Sequence, residues 1–332
     1  MVFKHRFDRI TTSDNVQKKI VAQNFFMSLS ESIIRTFVFF DIFDRPLTAF
    51  EAHKGLWSEV AKLEDVRATL NTSNSKIEAK NGFFFLSGKK KIVEDGSRRQ
   101  IWNDKKIARA RWAAKTLSAV PFIRLIAVCN TLSFGVASQE SDVDFFIVAR
   151  AGRLWTARFF SVLILSLFGL RRHGKKIANR VCLSFFLADD SLNLESVAIK
   201  SPPDIYLVYW IAQLVPLVNR NQTLEKFWQA NSWVKQYLPN FHFENQLPDY
   251  HQIKTCPVLE ACRKFCEYLR GGYLGDVKET FLRFVQLRKM SKNLKSRQSE
   301  GGTAVVINDK MLKFHEEDRR EYYKNKWLEK TV

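Results

Sequence analysis

Three apolar runs of strand length constrain this chain more than any other feature: "FIRLIAVC" from Phe122, "DFFIVA" from Asp144 and "RVCLSFFLA" from Arg180. Each is short and rich in β-branched or aromatic residues, so each reads as a buried strand. A helical stretch from about Arg153 to Leu170 separates the last two. Strand, connector, strand, helix, strand describes an α+β sheet domain, placed at residues 101–200.

The flanking regions read differently. Residues 1–27 form a polar leader. In 28–100, "ESIIRTFVFFDIF" has helical length and stops before Pro46. "TAFE" offers a capping box, with the Thr48 hydroxyl accepting from the Glu51 amide and Glu51 reaching back. A second helix is expected through Leu56 and Trp57, and a third through "EDVRATLN". Two strand-like pieces then flank Asn81-Gly82, a favoured tight-turn pair. Three helices and a hairpin make a winged-helix-like pattern. Its third helix either docks on nucleic acid or belongs to a packing or dimerisation module, and only Lys62 and Arg67 make it basic. Residues 201–332 read as a helical C-terminal region. It holds helices over "IYLVYWIAQLVPLVNR" and "TLEKFWQANSWVKQYL", another near 257–270, a basic stretch, and a closing strand with a charged helix.

Composition narrows the partners. The formal charge is +19, from 53 Lys+Arg against 34 Asp+Glu. Such an excess favours polyanions (nucleic acid, nucleotides or an anionic membrane surface), or else is simply solvated. Cys129, Cys182, Cys256, Cys262 and Cys266, even with His251, lack the paired knuckles of structural zinc sites, so they read as reduced, mostly buried thiols. The longest apolar run, Phe159 to Leu170, is too short to span a bilayer, and the N-terminus has no apolar signal core. A cytoplasmic location is expected. No Ser-His-Asp or His-x-x-x-His arrangement points to a hydrolase or zinc enzyme.

The chemistry concentrates in "CNTLSFGVASQESDVDFFIVAR", Cys129 to Arg150. Asp142 and Asp144, at i and i+2, share one face of a strand about 7 Å apart at the backbone. Carboxylates beside a core need a compensating cation or hydrogen-bond donors. Such a pair suits Mg²⁺, which takes one or two carboxylates together with phosphate oxygens and water. The polar loop before it, with Gly135, can present amides to phosphate. Arg150 and Arg153 follow the strand as candidate phosphate ligands or as solvated helix-start residues. Arg171, Arg172, Lys175 and Lys176 form the most concentrated basic loop.

"AVCNTLSFGVASQESDVDFFIVA" resembles the signature of the polymerase-beta-like nucleotidyltransferase superfamily: an apolar strand, Gly-Ser, a spacer, then Asp-x-Asp opening the next strand. Over nearly its full length the chain also resembles bacterial nucleotidyltransferase-domain proteins with an N-terminal winged-helix-like segment. The resemblance rests on "FFDIFDRPLTAFE", "VPFIRLIAV", "SDVDFFIVARAGRLWTARF", "VCLSFFLADDSLNL", "YWIAQLVPLVNR", "FWQANSWVKQYLPNF" and "MLKFHEEDRREYY". It implies a nucleotidyltransferase-type mixed sheet and transfer of a nucleoside monophosphate from an NTP to an acceptor, a nucleic acid or a protein among the candidates. Asp142 and Asp144 would hold the metal, two Mg²⁺ ions in an active enzyme, and Asn130-Thr131 would stand where Gly-Ser binds the triphosphate. The chain departs from the pattern there, and again where the third carboxylate aligns with Ser184, which cannot act as a general base unaided. Asp189 and Asp190 are the substitutes nearest that strand's end. A protein that holds nucleotide or nucleic acid, or docks a protein partner, without transfer is the alternative.

Overall fold

A computed structural model describes residues 27–72, 76–242, 253, 256–269, 271–291, 302–315 and 317–331. The leader up to residue 26, His251 and the basic segment 292–301 lie outside the described residues. The chain is a mixed α+β protein.

Three helices come first: α1 (Leu29–Asp41), α2 (Ala49–Lys54) and α3 (Leu63–Asn71). The capping box is present, with Thr48 Oγ1 accepting from the Glu51 amide and Glu51 accepting from the Thr48 amide at 2.9 Å. α2 ends at Lys54 and not beyond Trp57, because Gly55 stops it. β1 (Ile77–Lys80) and β2 (Phe83–Leu86) pair antiparallel across Asn81-Gly82, whose φ values of 53° and 78° fit a type I′ turn. Leu47 bridges to Phe84. This unit shares its apolar core with the main sheet: Phe39 stacks on Tyr209 with centroids 4.2 Å apart, and Trp57 meets Tyr237 and Trp327.

The long helix α4 (Lys91–Leu117) leads to β3 (Ile123–Val128), the short α5 (Asn130–Ser133), β4 (Val143–Ala149), α6 (Leu154–Leu167) and β5 (Val181–Ala188). β3 and β4 are antiparallel, whereas β4 and β5 are parallel, with α6 as the crossover between them. The three runs are buried strands, as their composition indicates. Phe145 and Ile147 face α4 and α6; Phe146 and Val148 face the opposite layer with Trp210 and Phe227.

The region after residue 200 is not merely helical. α7 (Ile205–Ala212) stops short of Pro216, and β6 (Val215–Asn219) pairs with β3 at the sheet's edge. Proline cannot continue a helix but is tolerated on an edge strand. The next expected helix breaks at Asn231. α8 (Thr223–Ala230) ends there, and the buried Asn231 side chain accepts from the Leu194 amide and donates to the Leu192 carbonyl. After α9 (Pro257–Leu269) and α10 (Tyr273–Met290), the hairpin β7 (Val305–Ile307) and β8 (Met311–Phe314) completes the order β6-β3-β4-β5-β8-β7, before α11 (Arg320–Thr331). Three of the six strands thus come from the region after residue 200, where the sequence leads one to expect only a closing strand. Among the described residues no helix is long and apolar enough to cross a membrane.

Candidate functional site

The connection from β3 to β4 is fixed from outside by α4. Asn103 Nδ2 donates to the Gly135 carbonyl at 2.6 Å, while its Oδ1 accepts from the Ala137 amide at 3.0 Å. One turn on, the buried Lys106 Nζ donates to the carbonyls of Gln139 and Ser141 and to Asn179 Oδ1, at 3.2, 2.7 and 2.8 Å. These contacts at i and i+3 put both side chains on one helix face. They hold the loop that delivers Asp142. Burial draws the Lys106 pKa down, and the charges of Asp142 and Glu140 counter it.

Asp142 lies just before β4 and Asp144 is its second residue. They converge with Cys182 of β5, so that one ligand atom from each lies within 4.8 Å of the other two. Burial and then the Asp142 charge push the Asp144 carboxyl up to about 6. Hydrogen bonds from Asn130 and Cys182, and the Arg172 charge, pull the other way.

Asn130 stands where β3 gives way to α5, with φ of 58°. This is the left-handed region that asparagine tolerates better than most residues. Its Oδ1 accepts from Trp210 Nε1 at 2.9 Å and Tyr206 Oη at 3.4 Å. An indole nitrogen only donates, so the amide oxygen must face Trp210 and the amide nitrogen is left for Asp144. Thr131 is exposed, and Gly135 supplies the turn with φ of 69°.

The residue opposite Asp144 on β5 is Cys182, not Ser184. The register shifts between Asp144 and Phe146, where two steps along β4 match three along β5, so counting along one strand misplaces the partner. Ser184 is buried further along β5. Burial, then the charges of Asp144 and Asp142, push the Cys182 thiol up to about 12, which leaves it protonated at neutral pH.

Arg172 was the residue of the basic loop that mattered, and composition alone could not single it out. Its Nη1 donates to Asp142 Oδ2 at 2.7 Å, and its amide bonds to the Val181 carbonyl, which fixes the loop beside β5. The Arg172 side chain is 43% exposed against 14% for that of Asp142, so the arginine covers the carboxylate from the solvent side. The thiols are less buried than expected: Cys129 is buried, Cys182, Cys256 and Cys266 are half-buried, and Cys262 is exposed.

Arg150 and Arg153 are not at this site. They follow the carboxyl end of β4, about 25 Å or more along the chain from Asp142. Arg153 is buried there, pairing with Asp276 at 2.7 Å and lying over the Phe122 ring. Asp189, at the same end, accepts from the Ala151 amide at 2.8 Å, and Asp190 follows it at the end of β5. Neither can replace a third carboxylate beside Asp142. On the α4 side of the Leu132–Gly135 turn opens a cleft of about 540 Å³, walled by Gln100, Asn103, Arg111 and Arg45.

Compared with protein-family models, with curated proteins and with solved structures, the chain matches none.

Proposed function

We propose that this protein binds a nucleoside triphosphate together with a divalent cation, Mg²⁺ by its oxygen ligands, and transfers the nucleoside monophosphate to an acceptor. The convergence of Asp142 and Asp144 carries the reading. The neighbouring Asp142 charge raises the proton affinity of the Asp144 carboxyl, and the compensation the pair lacks is that of a doubly charged ion. The donor set fits such an ion, with oxygens from Asp142 and Asp144 and a polar loop beside them. Bound there, a divalent cation would neutralise triphosphate oxygens and the departing pyrophosphate.

The chain's own residues take the remaining tasks. Asn130 orients Asp144, and Lys106 with Asn103 fixes the loop that carries Asp142. Arg172 neutralises Asp142 in the absence of a cation. Once displaced, its guanidinium is free for a phosphate oxygen, a partner it suits by shape and charge. In the transfer, the acceptor oxygen bonds to the α-phosphorus and the bond from that phosphorus to the β-phosphate oxygen breaks. Pyrophosphate leaves with that electron pair. The acceptor's proton goes to water, since neither the Cys182 thiol nor Ser184 is a base at neutral pH.

The three helices, the Leu47 bridge and the hairpin support a winged-helix-like reading of the N-terminal unit. Nucleic-acid docking through α3 is not favoured, because that helix carries Glu64 and Asp65 in its first turn against Arg67. A second reading, nucleotide binding without transfer, is favoured by Cys182 standing where a third carboxylate would act.

The test is release of pyrophosphate, and labelling of an acceptor, from a tagged NTP with and without Mg²⁺. Metal-dependent turnover, abolished in Asp142→Asn and Asp144→Asn, is expected. Equal behaviour of wild type and both variants rejects the transfer reading, and Mg²⁺-dependent binding without pyrophosphate selects the second.

A further inference from the structure

Helices α9 and α10 are built inside out. α9 turns Glu260, Arg263 and Glu267 to the protein. Glu267 Oε1 accepts from the Phe122 amide at 2.6 Å and from Arg124 at 3.0 Å, Glu260 pairs with Arg220 at 3.2 Å, and Arg263 is buried between these acids. α10 does the same. Glu279 accepts from the Trp155 and Thr156 amides, which caps the start of α6, and Gln286 bonds to the Trp155 carbonyl at 2.9 Å.

The faces left outward carry apolar side chains among basic ones. On α10, Leu274, Val277, Phe281 and Phe284 fall at i, i+3, i+7 and i+10, and are 67%, 53%, 62% and 60% exposed. They form a stripe opposite Glu279 and Gln286. On α9, Val258, Phe265 and Leu269 are likewise exposed, away from Glu260 and Glu267. Contiguous exposed apolar surface of this kind marks an interaction site.

Charge selects the occupant. Lys278, Arg288 and Lys289 flank or end the α10 stripe and are exposed. The two acids of that helix are engaged elsewhere, Asp276 with Arg153 and Glu279 with the start of α6. A second copy would bring another +19 chain and the same lysines against this face. An anionic lipid surface meets both features, since apolar and aromatic side chains enter the acyl boundary while lysines and arginines remain at the headgroups. We propose that α9 and α10 dock this protein peripherally on anionic membranes, with the α10 stripe lying in the interface.

The test uses the full chain and vesicles of phosphatidylcholine alone or with one-third phosphatidylglycerol, read by co-flotation. Association with the anionic vesicles is expected, weaker by roughly tenfold or more on phosphatidylcholine alone. The double variant Phe281→Glu with Phe284→Glu, both exposed and therefore compatible with folding by circular dichroism, should lower binding by at least about tenfold. Lys278→Ser with Lys289→Ser should lower it by several-fold and flatten its salt dependence. No association of the wild type with anionic vesicles overturns the proposal, as does association that the phenylalanine variant leaves unchanged. A concentration-dependent dimer in light scattering, dissociated by that variant and without vesicle binding, assigns the face to a second copy and overturns it equally.

Discussion

At the carboxyl end of β4 and its neighbours, charged residues meet opposite charges: Arg153 with Asp276, Arg124 and Arg263 with Glu267, and Arg220 with Glu260. At the amino end the same strand brings like charges together, Asp142 beside Asp144, with the single guanidinium of Arg172 on the solvent side. The first arrangement is complete within the protein and serves to dock α9 and α10. The second leaves negative charge in excess. Half-buried acids that repel each other cost stability, and that cost is the mark of a site shaped for something absent from the folded chain alone.

The comparison breaks if mutations at the two ends act in the same direction. The largest effect is expected at the paired end. Glu267→Ala removes the acceptor shared by Arg124, Arg263 and the Phe122 amide, and should cost about 3 kcal/mol in denaturant unfolding, since it strands largely buried cations. At the other end Asp144→Asn should stabilise the protein, on the order of 2 kcal/mol at pH 7, by relieving burial and repulsion. The same variant should abolish cation binding. Loss of stability in Asp144→Asn would erase the contrast.

The acidity of Asp144 sharpens it further. Its carboxyl is pushed up to about 6, above its ordinary value, so the fold favours the protonated form. That contribution is fully present below about pH 4 and is lost as pH rises through 6. The wild type should therefore lose stability between pH 4 and 6 relative to Asp144→Asn, in melts across that range. Mg²⁺ affinity should move oppositely, weakening as pH falls below 6 and protons compete for the carboxylate.

A smaller loss, about 1–2 kcal/mol, is expected for Lys106→Met, which takes the side-chain donor from the Gln139 carbonyl and leaves the Ser141 carbonyl with only the Asn179 amide. Its Mg²⁺ affinity should also drop, because the loop that aims Asp142 loosens. The smallest effect belongs to Cys182→Ser, about 1 kcal/mol or less in stability. Mg²⁺ binding should be unchanged, because a thiol pushed up to about 12 offers no thiolate to a hard cation.

The buried strands, the capping box, the Asn81-Gly82 turn and the carboxylate pair were legible because each is encoded within a few neighbouring residues. What escaped depends on register or distance. Pro216 signals the end of α7, but not that residues 215–219, Pro216 among them, pair with β3. Cys182 faces Asp144 only through a register shift between two parallel strands. Arg172 reaches Asp142 across 30 residues of sequence, and nothing within "RRHGKK" distinguishes it from Arg171. Arg150 and Arg153 misled for the same reason: their nearness in sequence to the acids hides the length of the strand between them. Lys106 and Asn103 sit in a strongly basic helix, whose composition does not distinguish its inner face from its outer one.

The central claim is that Asp142 and Asp144 jointly hold a divalent cation with a triphosphate. Isothermal titration of a non-hydrolysable NTP into the protein, with Mg²⁺ and with chelator, tests it most directly. Saturable binding that requires Mg²⁺ and vanishes in folded Asp142→Asn and Asp144→Asn is the predicted result. Absence of binding to the wild type, or binding that persists in chelator and in both variants, would contradict it.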